Sequence, residues 1–118
     1  MAEREDAYLI YKNYDRMASA RVMQDVFNER LRQHKKYGLQ AHDNGTGQSM
    51  DDLNLEHTRN AYTEALSSGC LTWREILTEE VAEAYAERVP ARLRAELVQV
   101  AAVAIAWAEC LDRKAEDK

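Results

Sequence analysis

The sequence predicts an all-α fold, four helices packed as a bundle in a single domain over 1–118, and three observations support this. One proline and four glycines in 118 residues leave too little punctuation for many short strands and turns. Helix formers (Ala, Glu, Leu, Arg, Gln) dominate the remainder. Apolar residues recur at three- and four-residue spacings, not in alternation. With 46% apolar and 31% charged residues, the composition is that of an ordinary globular chain able to build a core.

Residues 1–14 read as an N-terminal extension in which Tyr8, Tyr11 and Tyr14 stand among charges, ready to pack on a neighbouring surface. The first helix is expected from Asp15 to Lys36, with Ala18, Val22, Val26, Phe27 and Leu31 on one stripe. His34, Lys35 and Lys36 put positive charge at its C-terminal end, and Gly38 stops it. The glycine-bearing stretch Leu39 to Met50 is a loop, and the segment 37–51 as a whole is a candidate substrate loop. Ser49-x-x-Asp52 is the expected start of the second helix; Leu55, Thr58, Tyr62, Ala65 and Leu66 form its weaker stripe, and Ser68-Gly69 ends it. Thr72-x-x-Glu75 is a capping-box pattern for a third helix reaching about Val89. Pro90 suits the first turn of a fourth, running to about Lys114. That helix is apolar all round from Leu97 to Ala108 except for Gln99, which predicts burial on every side. Its alanines permit close helix approach, so part of this surface is expected to meet another copy of the chain in a homo-oligomer.

Charge and cysteine usage exclude several classes. A net charge of −5 argues against a nucleic-acid-binding bundle, which needs a basic face. Cys70 and Cys110 have no zinc-ligand spacing and read as free thiols. The N-terminal segment lacks the apolar core of a signal peptide, and the run Leu97–Ala108 falls short of the roughly 20 residues that span a bilayer. A cytoplasmic protein with no membrane partner is expected.

The informative chemistry lies in Glu79-Glu80-x-x-Glu83 and Glu96-x-x-Gln99, two acidic clusters on otherwise core-like segments either side of Pro90. At 100° per residue with Trp73 at zero, Leu77 falls at about 40°, Ala84 at about 20° and Val81 at about 80°. Glu80, at about 340°, lies inside this apolar arc; Glu83 and Glu87 sit on its edge, and Glu79 at about 240° points outward. Glu96 shares an edge with Val100, Val103 and Trp107, with Gln99 one turn along. Two such helices antiparallel across the break would aim several carboxylates at one another. Buried like charges are costly alone, whereas oxygen-only ligand sets suit hard dications such as Mg2+ or Mn2+.

These residues also carry a resemblance. Glu79-Glu80-x-x-Glu83 followed by Glu96-x-x-Gln99 in a Leu-Val-Gln-Val-Ala-Ala-Val context is similar to the all-α nucleoside triphosphate pyrophosphohydrolases of the MazG type, whose motif is E-E-x-x-E then E-x-x-D. Upstream, Glu29-Arg30-x-x-Gln33-x-x-Lys36-Tyr37-Gly38-x-Gln40-x-His42 resembles a segment of their small bacterial and phage members. Thr72-Trp73-Arg74-Glu75-Ile76-Leu77 fits the lead into their acidic motif. Gln99 stands where most members have Asp, and Tyr37 where they have Trp. The resemblance implies metal-dependent hydrolysis of a (d)NTP, such as dGTP or dATP, to monophosphate and pyrophosphate. Glu80, Glu83, Glu96 and Gln99 would be the metal ligands, with Glu79 as base or supporting group. Lys36 and Arg92 would contact phosphate; Gln33, Tyr37, Gln40 and His42 would contact base and sugar.

The competing reading is a non-catalytic helical module of the same fold that binds a nucleotide or a partner protein, and the neutral Gln99 favours it. An acidic run on a helix is also commonly a solvated face, which fits Glu79 and Glu87 equally well.

Overall fold

The computed structural model describes residues 14–116, so all of the expected N-terminal extension except Tyr14 lies outside the described residues. These residues form four α-helices and, among them, no strand: α1 Arg16–Tyr37, α2 Asp51–Ser67, α3 Trp73–Ala86 and α4 Pro90–Glu116. The chain divides into two compact units, Met1–Gly38 and Leu39–Lys118.

In the first unit, α1 is started by Asp15, whose carboxylate accepts from the Ala18 N–H at 3.0 Å. It is closed by Gly38, at φ 68, whose N–H donates to the His34 carbonyl at 2.8 Å. Ala18, Ser19 and Val22 are buried, and the Tyr14 hydroxyl is hydrogen-bonded to Ser19 Oγ. The rest of the expected apolar stripe (Val26, Phe27 and Leu31) is exposed.

In the second unit α3 is the central element, packed against α2 on one side and α4 on the other. Both pairs are antiparallel: Asp52 meets Arg88 while Arg59 meets Glu83, and Trp73 meets Trp107 while Glu83 meets Glu96. The start of α3 is the reciprocal capping box, with the Thr72 N–H donating to the Glu75 carboxylate at 3.1 Å and the Thr72 hydroxyl bonded to it as well. The second helix begins at Asp51, two residues past the expected Ser49: Met50 precedes it without a side-chain cap, and the Asp51 carboxylate accepts from the Gln48 N–H at 2.6 Å.

The third helix also stops at Ala86, short of Val89, and its last carbonyls find partners outside the helix ladder. The Gly47 N–H donates to Tyr85 O at 2.8 Å, and Arg88 Nη1 donates to Ala86 O at 3.3 Å. Gly47 sits at φ 74, and a Cβ there would fall 2.6 Å from Arg88 Cγ. Only glycine lets the loop lie this close to the helix end. Glu87 turns to extended backbone, and the first bond of α4, from Leu93 N–H to Val89 O, follows at 2.8 Å.

The small residues Ala82 and Ala84 and the first-turn Leu93 are the buried positions of this unit. The expectation that α4 is buried on every side is not met: Leu97 and Val98 are 52% and 56% exposed, because α3 alone covers one face of α4. Cys70 and Cys110 are free, as expected. No helix among the described residues is long and apolar enough to cross a membrane.

Trp73 and Trp107 stack on the α3–α4 seam with ring centroids 6.3 Å apart and planes 10° from parallel. Both are half-buried. Trp107→Ala is therefore expected to cost about 2 kcal/mol, below the figure for a fully buried ring but including the loss of the pair. Urea denaturation followed by circular dichroism measures this; an unchanged midpoint would show that the stack does not hold the two helices together.

Candidate metal centre

The short segment Glu87–Val89 folds α4 back along α3, bringing the two acidic motifs together. One oxygen each from Glu80, Glu83 and Glu96 lies within 4.8 Å of the others, and all three side chains are half-buried. The helical period explains the first two: Glu80 sits in the apolar arc of α3 and Glu83 follows one turn later. Glu96 sits on the α4 edge that faces α3. Glu80 Oε2 and Glu96 Oε2 are fully buried and accept no hydrogen bond. Two orphaned carboxylate oxygens among like charges are costly, and a cation between them would remove that cost.

The electrostatics follow from this crowding. Burial, and then the neighbouring Glu83 charge, push the Glu80 carboxyl above the usual range. Glu96 is raised by burial first, then by the charge of Glu83 and a carboxyl–carboxyl contact with it, and by Glu80 and Glu87. Glu79, for all its outward angle, belongs to the cluster's flank. Burial, Glu83 and Glu80 raise it, while Arg59 pulls the other way. A proton is thus held here more readily than on a free carboxylate.

Beside the cluster, Asp52, Leu55, Arg59, Glu83, Ala86, Glu87 and Glu96 line a polar cleft of about 310 Å³. Its α2 wall is absent from the sequence expectations. Arg59 Nη2 lies 3.5 Å from Glu83 Oε1, and Asp52 is held by both guanidinium nitrogens of Arg88, at 3.3 and 3.5 Å. One signal for Arg59 was available: with Leu55 at zero it falls at about 40°, beside Leu66 at about 20°, a charge inside the apolar arc of α2.

The remaining expected site residues are distributed as follows. Gln99 is exposed, one turn beyond Glu96, and does not line the cleft; Arg92 is exposed one turn before Glu96. Gln40 and His42 lie on the loop and bond each other at 3.1 Å. Gln33, Lys36 and Tyr37 end α1 in the first unit; Arg30 donates to Gln33 at 2.6 Å, and Lys36 Nζ stands 5.2 Å from the centroid of the Tyr37 ring.

The chain matches no protein-family model, no curated protein and no solved structure.

Proposed function

We propose that the chain is a metal-dependent nucleoside triphosphate pyrophosphohydrolase of the MazG-like type. It would add water across the α–β phosphoanhydride of a (d)NTP, releasing (d)NMP and pyrophosphate, with purine deoxynucleotides such as dGTP or dATP the preferred class. The observation that carries this reading is the convergence of Glu80, Glu83 and Glu96 from two helices onto one point. Three carboxylates with two unsatisfied buried oxygens fit Mg2+ or Mn2+ in donor type and charge. A divalent ion bound there supplies charge neutralisation for the triphosphate and acidifies a water molecule.

The protein's own groups do the rest. Glu80, Glu83 and Glu96 would hold the ion, and Gln99, the fourth ligand the resemblance implies, would have to turn in from its exposed position one turn beyond Glu96 to add its amide oxygen. Glu79 would take the attacking water's proton or orient Glu83; burial and the Glu83 and Glu80 charges raise its pKa, which makes it a stronger base than a free carboxylate. Lys36 and Arg92 contact phosphate, while Gln33, Tyr37, Gln40 and His42 bind base and sugar. The exposed Leu97, Val98 and Leu111 on α4 support a homo-oligomer that completes the bundle.

The alternative, a nucleotide- or partner-binding module without turnover, is favoured by the exposed, neutral Gln99. Incubating the protein with Mg2+ or Mn2+ and each of the common ribo- and deoxynucleoside triphosphates, then assaying monophosphate and pyrophosphate, separates the two. Equimolar release of both products from at least one nucleotide is expected; binding without release would establish the module.

A further inference from the structure

The cleft beside the carboxylates has one basic side chain in its lining, Arg59, and the geometry of that side chain carries an inference resting on the function proposed above. Arg59 projects from the middle of α2, seven residues after Asp52 and four after Leu55, so all three share a face. Its guanidinium meets Glu83 at 3.5 Å, an ion pair longer than the roughly 2.7–2.9 Å of a charge-assisted hydrogen bond. The Arg59 side chain is 56% exposed against 21% for Glu83, so the arginine reaches the acid from the open side. Arg88, the other guanidinium nearby, is already committed to Asp52 and the Ala86 carbonyl.

We propose that Arg59 is a two-position phosphate ligand. It lies against Glu83 while the carboxylates hold no metal, and it turns to the β- and γ-phosphates of the substrate, and then to the pyrophosphate product, once a divalent ion takes Glu83. Three arguments support this. A loosely held ion pair in water is weak and breaks at little cost. A planar guanidinium with five donors matches phosphate oxygens better than it matches one carboxylate oxygen. The substrate also brings several negative charges into a cleft whose other ionisable lining groups (Asp52, Glu83, Glu87 and Glu96) are acidic, so a cation on the open side is what admits it.

The two positions make opposite demands, which gives the test its sign. Next to Glu83, Arg59 competes with the metal; next to phosphate, it helps the substrate. Arg59→Gln should therefore bind Mn2+ alone more tightly than the parent protein, by about 3- to 10-fold in calorimetry without nucleotide. With metal saturating, the same variant should raise KM by about 10- to 100-fold. Inhibition by inorganic pyrophosphate should weaken in parallel, while inhibition by the monophosphate product stays unchanged. Arg59→Lys, which keeps the charge and loses the fork, should return Mn2+ affinity to the parent value and recover only part of the KM.

Circular dichroism of both variants checks that the exposed position leaves the fold intact. A variant that weakens Mn2+ and nucleotide together, or changes neither, overturns the role of Arg59 while the hydrolase reading stands. A parent protein that binds no Mn2+ and releases no pyrophosphate removes that reading and this inference with it.

Discussion

Glu80→Gln is expected to abolish nucleotide hydrolysis and, at the same time, to make the metal-free protein more stable. The two effects share one origin. Glu80 Oε2 is buried with no donor, and burial together with the Glu83 charge raises its pKa, so the charged form is disfavoured in the folded chain. Glutamine keeps the shape, removes the charge, and brings an N–H that can donate to Glu83 or Glu96. For a partly exposed site screened by solvent, a gain of about 1 kcal/mol is expected, which raises the melting temperature by roughly 4–8 °C. Turnover should fall by at least about 100-fold, because a ligand carboxylate matters at least as much as the groups that support one. A pyrophosphate-release assay with parallel thermal melts in EDTA measures both. A variant that stays active, or melts earlier than the parent, would show that this carboxylate is not held in place for a cation.

Metal and protons are expected to compete for the same oxygens, which inverts the usual pH dependence of stability. Glu79, Glu80 and Glu96 all have raised pKa values, so in the folded state they hold protons that the unfolded chain has already released. Stability then falls as pH rises above about 4.3, the unfolded value, through the raised folded values. The metal-free protein should melt higher at pH 5 than at pH 7.5. Glu75 works in the opposite sense but in another window. The Thr72 hydroxyl bonded to it lowers its pKa, so its contribution is lost only as pH drops below about 4.3. Adding Mn2+ at pH 7.5 to about 100 times its Kd should contribute about 2.7 kcal/mol, a rise of roughly 10 °C, and the gain should shrink toward pH 5 as protons reclaim the site. EDTA should reverse it. Melts in a pH series with and without metal decide the matter; a metal-free protein that loses stability steadily from pH 7.5 to 5 would contradict the crowding of charge described here.

What the sequence reveals of this architecture is mainly what is local. The capping box at Thr72 and Glu75 and the glycine stop at Gly38 depend on neighbours within one turn, and both are found where the pattern puts them. The inward angle of Glu80 follows from helical period, and its meeting with Glu96 needs only a fold-back at Pro90. Features decided by distant partners were out of reach. The third helix ends at Ala86, and the Gly47 N–H that takes the Tyr85 carbonyl comes from a loop outside residues 72–89. The stripe of Leu55, Tyr62 and Leu66 marks the face that carries Arg59 as core, whereas its outer part opens onto the cleft. Glu79 looked solvated because an angle describes direction and not reach: four residues from Glu83, a flexible side chain on the flank still feels the cluster.

The stacked indoles have a practical consequence. Trp73 and Trp107 are the only tryptophans in the sequence, so its tryptophan emission originates from one place. That place is the contact between the two helices that carry Glu80, Glu83 and Glu96, and any loosening of those helices changes how the paired rings quench each other. The molecule thus carries a built-in optical gauge of whether the two halves of its acidic cluster stay together, readable without a label.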